Sequence, residues 1–305
     1  MKYVKLGNIN TPVSVIGVGC MRIAGMTSSQ LDHYVHTALD EGINFFDHAD
    51  IYASGKSEEI FGELLSQQPA LRNKLYLQSK CAIHDSMYDF SKDYILSSVD
   101  GILKRLKVSH LDSLLLHRPD ALMEPDEVEE AFQTLKKSGK VLNFGVSNMN
   151  RFQMEFLGKR LSDGLAVNQL QMSAAHTPLI DAGINVNMMN DAAVMRDAGT
   201  LEYCRMNDMV IQTWSPIQKG FFGGTFIGSE EYKELNSVLD DLAEKYGVTN
   251  DAVAYAWLLR YPAKMQVIVG TTNSDRLKNA ANAAKVELTR SEWYQIYRAA
   301  GNQLP

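Results

Sequence analysis

Four side chains in the first half of the chain could together move a proton: Asp47, Tyr52, Lys80 and His117. Asp47 closes an apolar run, Ile43 to Phe46, and Tyr52 follows in a loop that ends at Ala53-Ser-Gly55. Lys80 follows Leu75-Tyr-Leu-Gln-Ser79, and His117 follows Leu111-Asp-Ser-Leu-Leu-Leu116. A phenol alone is a poor acid at neutral pH, with a reference pKa of ~10. A lysine ammonium beside it favours phenolate and lowers that value by roughly 1–3 units. In a partly dry pocket the ammonium needs a counter-ion, which Asp47 supplies. His117 can donate a hydrogen bond to a substrate oxygen. Such a set would protonate an oxyanion that develops on a bound carbonyl. Singly, each residue also reads as a solvated strand end, a packed tyrosine or a structural histidine.

What must position them is a run of strands and helices in alternation. Tyr3 to Leu6 and Val13 to Ile16, around Gly7-Asn-Ile-Asn10, read as an N-terminal hairpin that leads into a first strand ending near Gly17-Val-Gly19. Thr27-Ser-Ser-Gln30 and Thr289-Arg-Ser-Glu292 fit capping boxes for the first and last helices. Pro125-Asp-Glu-Val128 opens a helix that runs to Lys137, with Gly139 just past its end. Further strands are expected at 43–47, 75–79, 111–116, 141–146, 165–170, 209–214 and 266–269, with helices between them. Cys81 to Phe90 and Gln218 to Ser229 read as loops, and Ser173 to Asp197, without a clear pattern, reads as a long loop with short helical pieces. The strands are short and almost continuously apolar, as parallel strands covered by helices must be. Eight β/α alternations without a linker or low-complexity tract point to one domain, 1–305. Its expected fold is α/β: a (β/α)₈ TIM barrel with the N-terminal β-hairpin and additional helices. In such barrels function sits at the C-terminal ends of the strands. Asp47, Lys80, His117, Ser147, Asn148, Gln169 and Trp214 all fall at such ends.

A carbonyl reduction also needs a hydride, which no side chain supplies. Ser147, Asn148 and Gln169 carry hydroxyl and amide groups that match a carboxamide. Trp214 offers a flat face for stacking on a nicotinamide.

Composition narrows the partners. The 305 residues are 45% hydrophobic and 22% charged, which gives ample material for a core, and the formal net charge of -6 disfavours a nucleic-acid partner. Three scattered cysteines, Cys20, Cys81 and Cys204, suggest a reducing compartment rather than a disulfide framework. Met1 to Lys5 shows no signal-peptide core and no apolar run is long enough to span a bilayer, so a cytoplasmic protein without a membrane partner is expected. Oligomeric state is not legible. Gly17-Val-Gly19 lacks the third glycine of a dinucleotide-binding loop. His33 and His36 share a helix face but have no third ligand near them in sequence, so no metal site is expected.

These residues carry a resemblance. The chain resembles the aldo-keto reductase superfamily over nearly its whole length, and within it a bacterial oxidoreductase branch. The matching pieces are Phe46-Asp-His-Ala-Asp-Ile-Tyr52, Ser79-Lys80, Leu116-His-Arg-Pro-Asp120, Gly145-Val-Ser-Asn148, Asn168-Gln169, Trp214-Ser-Pro216 and Val269-Gly-Thr271 with Arg276. The resemblance implies an NADP-dependent enzyme that reduces aldehydes or ketones to alcohols. Tyr52 is then the proton donor, Lys80 and Asp47 support it, and His117 orients the carbonyl. It also implies that Ser147, Asn148 and Gln169 hold the carboxamide, with Trp214 stacked on the ring where relatives usually carry tyrosine. Met21, Arg22 and Ser215 match positions near the cofactor, and Arg276 matches a 2′-phosphate contact. Gly270, Thr271 and Thr272 offer donors to phosphate. Two other functions remain open from sequence: a barrel lyase with Lys80 as Schiff-base nucleophile, and a non-catalytic NADP-binding subunit.

Overall fold

The computed structural model describes residues 1–7, 12–84, 87–185, 191, 199–220 and 223–302. In chain order the strands are β1 (Tyr3–Val4), β2 (Val13–Ser14), β3 (Ile16–Gly19), β4 (Phe45–Asp47), β5 (Tyr76–Cys81), β6 (Ile83–His84), β7 (Met87–Tyr88), β8 (Leu111–Leu116), β9 (Val141–Ser147), β10 (Val167–Gln171), β11 (Val210–Trp214) and β12 (Met265–Val269). The helices are α1 (Ser28–Asp40), α2 (Lys56–Gln67), α3 (Lys92–Leu106), α4 (Pro125–Lys137), α5 (Arg151–Gly158), α6 (Pro178–Ile184), α7 (Thr200–Met206), α8 (Lys233–Tyr246), α9 (Asn250–Leu259), α10 (Ser274–Ala281) and α11 (Arg290–Ala299). Eight parallel strands close in the order β3-β4-β5-β8-β9-β10-β11-β12, and β12 returns to β3 through the pairs Val267–Ile16 and Val269–Val18. The expected (β/α)₈ barrel is the observed fold.

Alternation along each strand decides which residues face the barrel interior. Phe45, Tyr76, Leu115, Val167, Val210 and Ile268 fill its lower end, together with Leu6 and Val13 from the N-terminal hairpin. Their neighbours Phe46, Leu77, Leu114, Leu116, Val146, Ile211, Val267 and Val269 point the other way, into the larger core beneath the helices. Each interior set continues upward at intervals of two. Phe45 leads to Asp47, Tyr76 to Gln78 and Lys80, Leu115 to His117, Val167 to Gln169, and Val210 to Gln212 and Trp214. On these strands the interior is apolar below and polar above, whereas on β12 the buried Gln266 precedes Ile268.

Gly17 belongs to this interior set. A Cβ there would lie 2.7 Å from the Phe45 ring, so glycine at that point makes room for the floor of the barrel, not for a phosphate. Local signals set the helix ends. The capping boxes Thr27/Gln30 and Thr289/Glu292 both form, and a third, Asn150/Gln153, opens α5.

The structure departs from expectation in one connection. The segment after Lys80, expected as a loop, carries the antiparallel pair β6/β7, with Ile83 opposite Tyr88. The stretch from Ser173, expected as a long loop with short helical pieces, carries one such piece, α6. Positions 186–190 and 192–198 of that segment, and Phe221 and Phe222 of the expected Gly- and Phe-rich loop, lie outside the described residues.

Candidate active site

Strand β5 projects Lys80 into the barrel, where it is fully buried. Its Nζ donates to Asp47 Oδ2 at 2.7 Å, to the backbone oxygen of His48 at 2.8 Å and to Tyr52 Oη at 3.0 Å. An ammonium has three hydrogens, and all three have an acceptor. Burial works against the charge on Lys80, but Asp47 and Tyr52 outweigh it and hold the pKa above the ordinary lysine value.

Tyr52 reaches this point through a tight turn. Ala53, Ser54 and Gly55 are consecutively left-handed, with φ of 49°, 54° and 87°. Left-handed backbone at non-glycine residues costs roughly 1–2 kcal/mol each, which the surrounding packing must offset. Ala82, Asn148 and Ser215 are also left-handed, and each follows within two residues of Lys80, Ser147 or Trp214. The chain bends sharply where it leaves the rim.

The balance on Tyr52 differs from the sequence expectation. Burial raises its pKa, Lys80 lowers it, Asp47 raises it, and the net direction is up. The lysine does stabilise the phenolate, but desolvation is the larger effect here. Because Lys80 donates to Oη, the phenol keeps its own hydrogen for another acceptor. His117 lies beside it, with ring centroids 6.0 Å apart and nearly perpendicular. Burial, then the charges of Lys80 and Arg118, push the His117 pKa well below its ordinary value, so the ring is neutral near pH 7. Its Nδ1 is buried and has no partner among the described residues. Asp47, Tyr52, Lys80 and His117 are therefore one constellation, as their positions at strand ends suggested.

The amide group forms a second cluster across the rim. Ser147 Oγ and the Asn148 backbone N–H both donate to the Gln169 backbone oxygen at 2.9 Å. Asn148 Nδ2 donates to Ser147 Oγ at 2.8 Å, and Trp214 Nε1 to Asn148 Oδ1 at 3.3 Å. Arg118 sits 5.9 Å from the Trp214 ring, across the mouth from β11. The donor set suits a carboxamide: two amides and a hydroxyl beside an indole.

The remaining candidates lie to one side. Met21 and Arg22 are on a 3₁₀ segment, Cys20–Gly25, that follows β3. Arg22 and Thr272 line a cavity of about 550 Å³ with Gln30, His33, Asn273 and Asp275, and none of Asp47, Tyr52, Lys80 and His117 borders it. Gly270, Thr271 and Thr272 connect β12 to α10, and Arg276 is exposed on the first turn of α10. Asn273 Oδ1 caps that helix by accepting from the Arg276 backbone N–H. Arg276 does not border the cavity.

Sequence reading missed a third group. Gln78, Gln212 and Gln266 are fully buried inside the barrel, and Gln78 Nε2 donates to Asp47 Oδ1 at 2.7 Å. The available signal was a glutamine on the interior parity of an otherwise apolar strand.

Comparison with known proteins agrees with the fold. The model of the aldo/keto reductase family matches residues 15–300. The chain is 35% identical over 293 residues to the uncharacterized oxidoreductase YcsN of Bacillus subtilis, covering 92% of this chain and 91% of that one. It is 34% identical to the oxidoreductase YdhF of Escherichia coli, over 90% and 89% of the two chains. It is 35% identical to a 6-dehydroglucose reductase of Novosphingobium aromaticivorans, over 99% and 96%. A thermostable aldo-keto reductase crystallised with the inhibitor epalrestat superposes with a TM-score of 0.78 at 23% identity, covering 98% of this chain and 100% of that one, a likeness of fold. The chain belongs to the aldo/keto reductase family, whose general activity is NADP-linked oxidoreduction.

Proposed function

We propose that this protein is an NADPH-dependent carbonyl reductase in which Tyr52 gives the proton that a reduced carbonyl oxygen requires. The observation that carries this reading is the Lys80 hydrogen-bond set: three donors, spent on Asp47, the His48 carbonyl and Tyr52 Oη. Asp47 keeps Lys80 charged, and Lys80 stabilises the phenolate that remains once the proton has left. Neutral His117 donates to the same carbonyl oxygen and sets its direction. Bound NADPH supplies the hydride. Ser147, Asn148 and Gln169 hold its carboxamide and Trp214 its ring. Met21, Arg22, Ser215, Gly270, Thr271, Thr272 and Arg276 serve the rest of the dinucleotide, with Arg276 favouring the 2′-phosphate.

The Schiff-base alternative needs a neutral, unengaged amine at Lys80. An ammonium held charged by Asp47 with every hydrogen bonded is the opposite condition. Borohydride trapping with a carbonyl substrate is expected to leave Lys80 unmodified. The main test is NADPH oxidation against a panel of aldehydes, ketones and dicarbonyls. 6-Dehydroglucose belongs in that panel, since two relatives are named as its reductases. Oxidation with at least one carbonyl, lost in Tyr52→Phe, supports the reading. No turnover with any member, despite NADPH binding, would favour the non-catalytic subunit instead.

A further inference from the structure

Four glutamines from four strands meet inside the barrel: Gln78 on β5, Gln169 on β10, Gln212 on β11 and Gln266 on β12. Their amides form one hydrogen-bonded array. Gln266 Nε2 donates to the Ser14 backbone oxygen at 2.8 Å, and Gln212 Nε2 donates to Gln266 Oε1 at 2.8 Å. Gln78 and Gln212 form a reciprocal pair: Gln78 Nε2 to Gln212 Oε1 at 2.7 Å, and Gln212 Nε2 to Gln78 Oε1 at 3.2 Å. Gln169 Nε2 also donates to Gln212 Oε1, at 2.9 Å. Ser113 Oγ donates to Gln78 Oε1 at 3.0 Å.

The direction of every amide in this array is forced. A backbone carbonyl and a carboxylate can only accept. Ser14 O therefore requires the nitrogen of Gln266, and Asp47 Oδ1 requires the nitrogen of Gln78. Gln266 then turns its oxygen to Gln212, which must answer with its nitrogen. That leaves Gln212 Oε1 facing both Gln78 and Gln169. Gln169 must consequently turn its nitrogen inward, and its Oε1 is the atom left for a ligand. Turning any one of these amides over would set like against like in a buried place, where an unmet polar group costs roughly 1–3 kcal/mol.

We propose that Gln212 is a positioning residue that fixes Gln169 with its oxygen presented to the cofactor, so that the site selects a ring substituent carrying an N–H donor. The inference deepens the NADPH reading above and rests on it. The neighbouring cluster has complementary polarity. Asn148 Oδ1 is taken by Trp214 Nε1 and its Nδ2 is a donor, so the carboxamide oxygen and nitrogen each have a matching partner. The same array holds Asp47 through Gln78, so the amide that reads the cofactor and the carboxylate that holds Lys80 share one support.

The test is equilibrium binding, read by fluorescence, with three probes. These are NADPH, its reduced 3-acetylpyridine analogue, which replaces the amide –NH₂ by methyl and keeps the carbonyl, and 2′,5′-ADP, which lacks the ring altogether. The unmodified protein is expected to bind NADPH about tenfold more tightly than the acetylpyridine analogue, the worth of one hydrogen bond. In Gln212→Met the Gln169 amide is free to turn, and that ratio is expected to fall below about threefold while 2′,5′-ADP binding stays within about twofold. Gln78→Met, which removes the support of Asp47 but leaves Gln212 held by Gln266, should keep the ratio. Equal affinity of the unmodified protein for NADPH and the analogue would overturn the proposal without any variant. So would a ratio that survives in Gln212→Met, or one lost equally in Gln78→Met. A protein that binds neither NADPH nor 2′,5′-ADP would instead overturn the cofactor reading from which the inference starts.

Discussion

Strand β5 meets a buried carboxylate on each of its two faces, through residues one position apart, and each carboxylate belongs to an ion pair. On the inner face Lys80 meets Asp47 and Tyr52. On the outer face Ser79 Oγ donates to Glu58 Oε1 at 2.6 Å, and Arg105 Nε on α3 donates to Glu58 Oε2 at 2.8 Å. Both carboxylates are almost wholly buried, and both have a cation and a further donor. They differ in what lies beyond the pair. Beyond Lys80 is a phenol whose hydrogen has no acceptor among the described residues. Beyond Glu58 are two helices and a strand, tied together. An ion pair in a dry interior costs desolvation wherever it sits. The outer pair offsets that cost in architecture, and we assign the inner pair to chemistry.

The largest effect should come from breaking the inner cluster. Tyr52→Phe removes one hydroxyl and keeps the ring, so folding and NADPH affinity should persist. Turnover should fall by roughly 10²–10⁴-fold, the usual worth of a general acid. The measurement is steady-state NADPH oxidation beside fluorescence titration of the cofactor. Near wild-type turnover with normal binding would remove Tyr52 from the role.

Lys80→Met should also reduce turnover steeply, since it takes away the one influence that lowers the phenol pKa against burial. In the unmodified protein the raised pKa keeps the phenol protonated through neutral pH. Reduction should therefore decline only on the alkaline side, and a pH–rate profile that falls between pH 6 and about 8 would contradict this assignment.

The outer cluster should behave inversely. Arg105→Met leaves Glu58 buried without its cation, and Arg105 is only 27% exposed. A loss of roughly 3 kcal/mol in stability is expected, with turnover at low temperature nearly unchanged. Denaturant unfolding and kinetics on the same preparation check both halves. A variant that keeps its stability and loses activity would erase the distinction between the two faces.

A smaller effect marks the border between the clusters. Burial and then Glu58 push the Asp50 pKa up to about 7, against the pull of Arg105. Its folded-state pKa thus exceeds the unfolded value of 3.8. Between pH 4 and about 7 the folded state binds the extra proton, so this group makes stability fall as pH rises through that window. Asp50→Asn should flatten the fall, seen as a difference in midpoint between the two proteins at each pH. An unchanged slope would mean that Asp50 ionises normally.

The smallest effect is expected furthest from both pairs. Arg276 is exposed at the start of α10, so Arg276→Ala should leave stability and the proton donor alone. It should narrow a preference for NADPH over NADH by several-fold, measured as the ratio of dissociation constants. Equal affinities in the unmodified protein would refute that role.

Much of the frame was legible from residues near one another in sequence. β8 and α4 lie at the expected boundaries, because an apolar run and a Pro-to-Gly punctuation are local signals. The boxes at Thr27 and Thr289 were legible because their partners are three residues away. β6 and β7 were not, since two-residue strands, one half-buried and one exposed, are too short to show a hydrophobic pattern. The four candidates for proton transfer stood out because each ends an apolar run or follows one closely.

The sequence by itself determined that eight short apolar strands alternate with helices, and that Asp47, Lys80, His117 and Trp214 lie at or beside strand ends. Period-two alternation sends them inward once the strands are paired, because successive side chains leave opposite faces of a strand. Only closure of the barrel decided what those side chains meet. Gln78 and Gln212 stand 134 positions apart and touch across the interior. The same closure takes Tyr52 partly out of water, so burial rather than Lys80 sets the direction of its pKa. Desolvation and cross-barrel hydrogen bonds are properties of an enclosed volume, and no stretch of chain carries them until the last strand, β12, has paired with the first, β3.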